Sequence, residues 1–130
     1  MIQRFIELGE GYSDIYELVE LIRVNQTRIH RLLRLDTTIG GNERTSLAVC
    51  LNPATPGKLM PIYICKEGIS NPDTLKNQRY NLFEQIANEV PGVTIHQLHV
   101  KDSKQFEETD LYYQYLIGIL RLNRYIPPLQ

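Results

Sequence analysis

The sequence predicts an α+β fold in which helices pack on a mixed five-stranded sheet. Three observations predict it. The length of 130 residues and the 42% hydrophobic content are those of one globular domain. Apolar residues recur at helical spacing in three segments, and five others are alternating or rich in β-branched residues. The resulting order, β-α-β-β-β-α-β-α, is neither a repeated βαβ series nor all-β, so residues 1–130 should form a single α+β domain.

The first strand and the first helix are separated by a change of period at Gly9. Residues 2–8 are mostly apolar and predict a strand, which the glycine ends. Asp14 and Glu17 are a candidate N-cap pair for a helix over residues 14–24. Its buried stripe is predicted from apolar residues at i, i+3, i+4 and i+7, namely Ile15, Leu18, Val19 and Ile22.

The middle of the chain predicts a three-stranded antiparallel meander. Its strands are the aliphatic and β-branched runs 28–36, 44–52 and 58–66. The connections are 37–43, which contains Gly-Gly-Asn, and 53–57, which runs from proline to glycine. Both compositions are typical of turns.

The last part of the chain predicts two helices with a strand between them. Asn71-Pro72-Asp73 supplies a cap followed by proline at the first helical position, and Pro91-Gly92 ends that helix. Residues 93–100 follow as a strand. Thr109-Asp110 opens the last helix, and Pro127-Pro128 ends the regular structure.

The two cysteines are predicted to be free thiols. The hairpin around residues 53–57 pairs position 50 with about 60 and position 65 with about 45. Cys50 and Cys65 then lie far apart on opposite faces, beyond the ~7 Å Cα separation that a disulfide tolerates. We therefore expect a reducing, cytoplasmic setting.

Charge and composition exclude several classes of partner. The formal net charge of −1 excludes a polycation that binds nucleic acid through overall charge. No apolar run approaches the ~18 residues that cross a bilayer, so we expect no membrane partner. Gly9-Glu10-Gly11 stands where a dinucleotide-binding unit has its glycine turn, but the acidic residues around it would repel a pyrophosphate. We therefore expect no cofactor.

No catalytic or metal-binding set is predicted. Helix, three-stranded meander, helix and strand follow one another over residues 14–100. This order resembles the core of the PD-(D/E)XK nuclease superfamily, which implies a divalent metal held by a sheet-borne Asp and a Glu-x-Lys triplet. The corresponding strand segments, 45–50 and 62–67, contain neither. His96 and His99 should lie on opposite faces of their strand, so they cannot share a metal.

Arginines are concentrated between residues 21 and 44, a segment that contains five arginines and only two acidic residues. Residues 1–20 hold one arginine and five acidic residues. Two interpretations stay open: the segment binds an external anion or nucleic acid, or it meets the acidic N-terminal helix in the same chain or across a dimer. Strand alternation places Arg28, His30 and Arg34 on one face and Arg31 on the other, so no single surface displays all the charges. The candidate residues are Arg23, Arg28, Arg31, Arg34 and Arg44.

The last predicted helix is apolar on nearly every face, because residues 111–120 contain no charged side chain. Such a helix must be covered on both sides, either inside the domain or by another subunit. Tyrosine is favoured at interfaces and is abundant here. The candidate interface residues are Tyr112, Tyr113, Tyr115, Leu116, Ile119 and Tyr125.

The first eighteen residues, MIQRFIELGEGYSDIYEL, resemble the start of a family of short uncharacterised proteins from Gram-positive bacilli. The similarity covers most of the chain. The resemblance implies neither an activity nor a site.

These features favour a non-enzymatic cytoplasmic interaction module that forms a homodimer through the tyrosine-rich helix or binds a protein partner. The alternative is nucleic-acid or nucleotide binding through the Arg-rich 23–44 segment. Two further hypotheses are a degenerate PD-(D/E)XK nuclease-like domain and an enzyme with a pocket near Glu10, Asp14 and Asp36.

Overall fold

The computed structural model describes residues 2–9, 13–54 and 58–128 and contains the eight predicted elements in the predicted order. Their bounds are β1 Ile2–Glu7, α1 Ser13–Val24, β2 Ile29–Ile39, β3 Asn42–Leu51, β4 Leu59–Ser70, α2 Gln78–Glu89, β5 Ile95–His99 and α3 Thr109–Leu122. The α+β class and the mixed five-stranded sheet are therefore confirmed.

The sheet has the strand order β1-β4-β3-β2-β5. The meander β2-β3-β4 is antiparallel, and the two edge strands join it in parallel. The predicted turn at 37–43 is shorter than expected, since Ile39 pairs directly with Asn42. Gly40 and Gly41, with φ of 54° and 85°, form the two-residue turn. Positive φ at both positions is the backbone of a type I′ hairpin, which glycine adopts without a Cβ clash.

Helices cover both faces of the sheet, and each face has its own hydrophobic core. On one face, α1 and α2 bury Leu18 and Phe83 against the sheet. On the other face, α3 buries Leu116 and Leu120. The sheet is thus the middle of three layers. Within the described ranges no helix combines the length and the apolar character needed to cross a membrane.

Two predicted helix caps are wrong. The N-cap of α2 is Asn77, six residues after Asn71, and its side chain accepts hydrogen bonds from the backbone of Arg79 and Tyr80 at 2.9 and 3.1 Å. Asn71 instead accepts from the Asp73 backbone at 2.8 Å and closes a turn before the helix. Asp14 lies inside the first turn of α1, is buried and pairs with Arg79, so it is not the predicted N-cap.

The cysteine prediction is confirmed for the described chain. Cys50 pairs with Ile62 and Cys65 with Leu47, two residues from the predicted register. The thiols lie in the two different cores and are both free.

Candidate functional site

The most buried charged side chain of the Arg-rich segment, Arg34, is the centre of an internal polar network. Its guanidinium donates to Asp36 at 3.1 Å and to both carboxylate oxygens of Asp73 at 3.1 and 3.0 Å. It also donates to Asn71 at 3.0 Å and lies 5.3 Å from the ring centre of Tyr80. Burial opposes its charge, but the hydrogen bonds to Asp73, Tyr80 and Asp36 outweigh burial and raise the pKa of Arg34.

The carboxylate of Asp36 accepts hydrogen bonds from three side chains. Thr45 donates to it at 2.5 Å and Gln97 at 2.7 Å, in addition to Arg34. Three strands therefore contribute to one buried set of charge-assisted hydrogen bonds. Because its donors and acceptors satisfy one another, this network stabilises the fold rather than offering an open site.

A cleft of about 820 Å³ lies beside this network, between the β2–β3 hairpin and the segment after β4. Its lining is mostly polar and includes Glu43, Arg44 and Lys104. Asn71, which Arg34 holds, also donates to Glu43 across the cleft wall. The network thus fixes one wall of the cleft, whose charges are of mixed sign.

Three other arginines of the segment also contact groups of this chain. Arg23 pairs with Glu20 at 3.1 Å on the exposed side of α1. Arg28 donates to the Asn52 carbonyl at 3.1 and 2.9 Å, and Arg44 donates to the Gly68 carbonyl at 2.9 Å. These side chains are dispersed over the domain, so the structure does not assemble the five arginines into one surface.

Arg31 has different surroundings, because it lines a groove with three other basic residues. The groove has a volume of about 420 Å³ and lies where β2 meets the end of α3. Its described lining residues are His30, Arg31, Arg121, Arg124, Ile126, Pro127 and Pro128. No acidic side chain is among them. The Nε of Arg31 is buried and has no hydrogen-bond partner within the described part of the chain.

A β-bulge brings two neighbouring residues of β2 to this groove. Ile29 pairs with Leu51 and Arg31 with Cys50, so His30 is an extra residue on its strand. In a regular strand these two side chains would point to opposite faces. At a bulge the alternation is interrupted, and both His30 and Arg31 line the groove.

The end of α3 supplies the other basic residues through a Schellman motif. The backbone of Tyr125 donates to Leu120 at 2.9 Å, and that of Arg124 donates to Arg121 at 3.0 Å. The residue after the C-cap is Arg124, which has a φ of 61° and is the only non-glycine residue with positive φ among those described. Glycine is the usual residue at this position because it adopts the left-handed conformation without strain.

Gln3 of β1 connects two walls of the groove. Its side-chain oxygen accepts from Arg121 at 2.7 Å, and its nitrogen donates to the Pro127 carbonyl at 2.6 Å. Gln3 is only 7% exposed, so the link is held within the domain. The position of Arg121 and the course of the chain through Pro127 are therefore fixed together.

The electrostatics of the groove follow from burial and from Arg31. Burial and the charge of Arg31 lower the pKa of His30, against hydrogen bonds from its ring to the Tyr125 backbone and the Asn52 side chain. The same two causes lower the pKa of His96, whose ring lies 5.0 Å from that of Tyr125. Both shifts favour the neutral form of the imidazole.

The tyrosine-rich helix is covered on one side by its own domain. Tyr112 and Leu116 are 7% and 1% exposed, so neither belongs to an outer surface. Tyr113 stacks on Phe5 with ring centres 4.9 Å apart. Tyr115 accepts from the Lys101 backbone at 3.0 Å. Ile119 and Tyr125 pack half-buried on the same core.

The residues of α3 that are exposed to solvent are not among the candidate interface residues. Leu111 and Leu122 are 45% and 80% exposed. They lie on one helical stripe with Gln114 and Gly118, which are also exposed.

The acidic residues proposed for an enzymatic pocket do not form a common site in the described chain. Asp14 is paired with Arg79 between α1 and α2, and Asp36 is held in the Arg34 network. Glu10 lies outside the described residues. Among residues 2–9, 13–54 and 58–128, no group of three His, Cys, Asp or Glu side chains is placed to hold a metal.

A family model for a domain of unknown function (DUF7147) matches residues 1–126. The chain belongs to this family. The match confirms that the family is uncharacterised and does not test the bacterial source that the resemblance implied. No curated protein and no solved structure is significantly similar to the chain. The groove is therefore interpreted from its own chemistry.

Sequence reasoning identified Arg31 but not its partners in the groove. Arg121 and Arg124 are 90 or more residues away along the chain and meet it only because the end of α3 lies beside the start of β2. No local signal in the sequence links them to Arg31. Arg121 and Arg124 follow the apolar run 111–120, and positive charge in the last turn of a helix is common enough to suggest no ligand by itself.

Proposed function

We propose that this protein is a non-enzymatic binding module whose ligand is a small anion held in the basic groove. The observation that carries the proposal is the convergence of Arg31, Arg121 and Arg124 on one groove, with no acidic side chain among its described lining residues. Like charges at short range repel one another and destabilise the fold. An anion that accepts hydrogen bonds from these guanidinium groups would remove that repulsion.

The size of the groove supports a small ligand rather than a nucleic-acid duplex. A volume of about 420 Å³ falls in the range of ~300–1,000 Å³ that is usual for small-molecule sites. A duplex requires several phosphate contacts along an extended surface, whereas Arg23, Arg28 and Arg44 are dispersed. Of the five arginines that the sequence analysis named as candidates for anion binding, the proposal retains only Arg31. The two free thiols support a cytoplasmic setting for this binding.

Titration with inorganic pyrophosphate at low ionic strength, followed by calorimetry, tests the proposal. Pyrophosphate should bind saturably and more weakly as NaCl is added. Arg31→Gln should weaken binding about tenfold, the effect of losing one hydrogen bond to a charged group. Arg23→Gln is the matched control and should bind as the unaltered protein does. An absence of saturable binding, or equal losses in both variants, would refute the proposal.

Self-association through α3 is a second candidate function, supported by the exposure of Leu111 and Leu122. Two large aliphatic side chains, 45% and 80% exposed, lie three helical turns apart on one stripe. Two exposed leucines on one stripe of a helix can be covered together by a second helix that lies along that stripe. A parallel or antiparallel contact of two α3 helices would cover both.

Multi-angle light scattering over a hundredfold concentration range tests this second candidate. A dimer should form, and Leu122→Asp should return it to a monomer. Leu75, which is 61% exposed on another part of the surface, provides the control Leu75→Asp, expected to leave the dimer intact. A monomer at every concentration would exclude self-association without affecting the anion-binding proposal.

A further inference from the structure

The basic groove also has an apolar side. Ile126, Pro127 and Pro128 line it together with the three arginines. An inorganic anion would contact the guanidinium groups and leave these apolar surfaces in contact with water. A ligand that joins an anionic group to an aromatic or aliphatic body would cover both, and the burial of its apolar part would add to the affinity.

The donors of the groove suit a phosphate group. Guanidinium is planar and offers paired N–H donors that match the oxygens of a phosphate. Arg31 has a buried Nε with no partner within the described chain. Three guanidinium groups in one groove balance a dianion better than a single carboxylate charge. A phosphate monoester, which is a dianion above a second pKa of about 6, has that charge.

His30 lines the groove beside Arg31, where the bulge of β2 places it. Hydrogen bonding to the Tyr125 backbone and to the Asn52 side chain raises the pKa of its ring. Protonated imidazole donates from both nitrogens and would satisfy both. Burial and the positive charge of Arg31 oppose that protonation in the free protein.

The charged and titratable groups around His30 are almost all basic. Arg31 belongs to the same strand, and Arg121 and Arg124 come from the end of α3. Arg28 binds the Asn52 carbonyl beside it, and His96 of β5 lies against Tyr125. A bound dianion would offset most of the positive charge that opposes protonation of His30.

We propose, on the basis of the proposed function, that the ligand is a small phosphate monoester with an apolar or aromatic body, and that its binding places a proton on His30. No bond of the ligand is made or broken. The proton comes from solvent and returns to it when the ligand leaves.

Calorimetry with phenyl phosphate at pH 8, in two buffers of different ionisation enthalpy, tests both parts. Phenyl phosphate is already a dianion at this pH, so protons taken up on binding go to the protein. We expect net proton uptake and an affinity at least about tenfold above that for inorganic phosphate. His30→Gln should abolish the uptake. The control His99→Gln, on the opposite face of β5 from His96, should retain it.

The outcomes separate the two proposals. If neither pyrophosphate nor phenyl phosphate binds, the proposed function itself fails. If pyrophosphate binds but phenyl phosphate binds no more tightly than inorganic phosphate, the ligand class is wrong. Proton uptake that persists in His30→Gln overturns the role of His30. Should that variant unfold, an NMR pH titration of His30 in the unaltered protein, with and without phenyl phosphate, decides instead. A single-stranded oligonucleotide that binds more tightly than phenyl phosphate would refute a small ligand.

Discussion

At the scale of single residues, Arg34 lies between the carboxylates of Asp36 and Asp73 with its side chain 4% exposed. Arg34→Met would keep an apolar stem but leave Asp36 buried without its charged partner. Removing one member of a buried ion pair costs about 3–5 kcal/mol of unfolding free energy, which urea denaturation measures. Arg23→Met, which breaks an exposed pair with Glu20, should cost less than about 1 kcal/mol. Comparable losses in the two variants would show that the network does not stabilise the fold.

Arg31 and Arg34 show that the partners of a side chain cannot be read from its position in the sequence. Alternation along a strand placed Arg31 and Arg34 on opposite faces, and the structure agrees. It could not show that Asp73, 39 residues further on, binds Arg34 and leaves it unavailable to a ligand. Nor could it show a bulge that adds His30 to the side of Arg31. Such roles depend on long-range contacts and on a local irregularity of pairing.

At the scale of elements, the cap of α2 gives a quantitative prediction. The Asn77 side chain accepts from two backbone N–H groups that have no partner inside the helix. Asn77→Ala should therefore lower the unfolding free energy by about 1 kcal/mol, measured by urea denaturation. Asn88→Ala, at an exposed position in the last turn of the same helix, is the control and should be neutral or slightly stabilising because alanine is the better helix former. A loss at Asn88 as large as that at Asn77 would contradict the capping role.

The end of α3 gives a prediction in which stability and binding change in opposite directions. Arg124 has a φ of 61° at the position of the Schellman motif that glycine usually occupies. Arg124→Gly should raise the unfolding free energy by about 1 kcal/mol and weaken pyrophosphate binding. Thermal denaturation and calorimetry on the same sample measure both. Loss of stability without loss of binding would mean that Arg124 serves the fold and not the ligand.

Element identity was predictable from the sequence, whereas some element boundaries were not. Period and turn residues predicted all eight elements in order, because burial of one face imposes those periods. The start of α2 was placed six residues too early, at Asn71, since Asn-Pro-Asp also forms a turn. The sequence of the tyrosine-rich helix is apolar on nearly every face. In the structure its buried stripe and the half-buried side chains on either side of that stripe pack on the same core.

At the scale of the whole molecule, the sheet separates two cores, and each contains one cysteine. Cys50 lies on the α3 face and Cys65 on the face of α1 and α2, with exposures of 0% and 2%. Burial raises the pKa of Cys50 to about 12 and also raises that of Cys65. Native thiols should therefore be inert to a disulfide reagent at pH 8, because the thiolate is the reactive form.

If the chain is one cooperative domain, both thiols should become reactive in the same event. We expect Cys50→Ala and Cys65→Ala variants, each with one remaining thiol, to be labelled at rates that follow global unfolding and rise equally with urea. Stopped-flow labelling, compared with unfolding followed by circular dichroism, measures this. A thiol labelled well below the global transition would mean that its layer opens alone. If that thiol were Cys50, the face that carries the basic groove would be the less stable one, and pyrophosphate should then slow its labelling selectively.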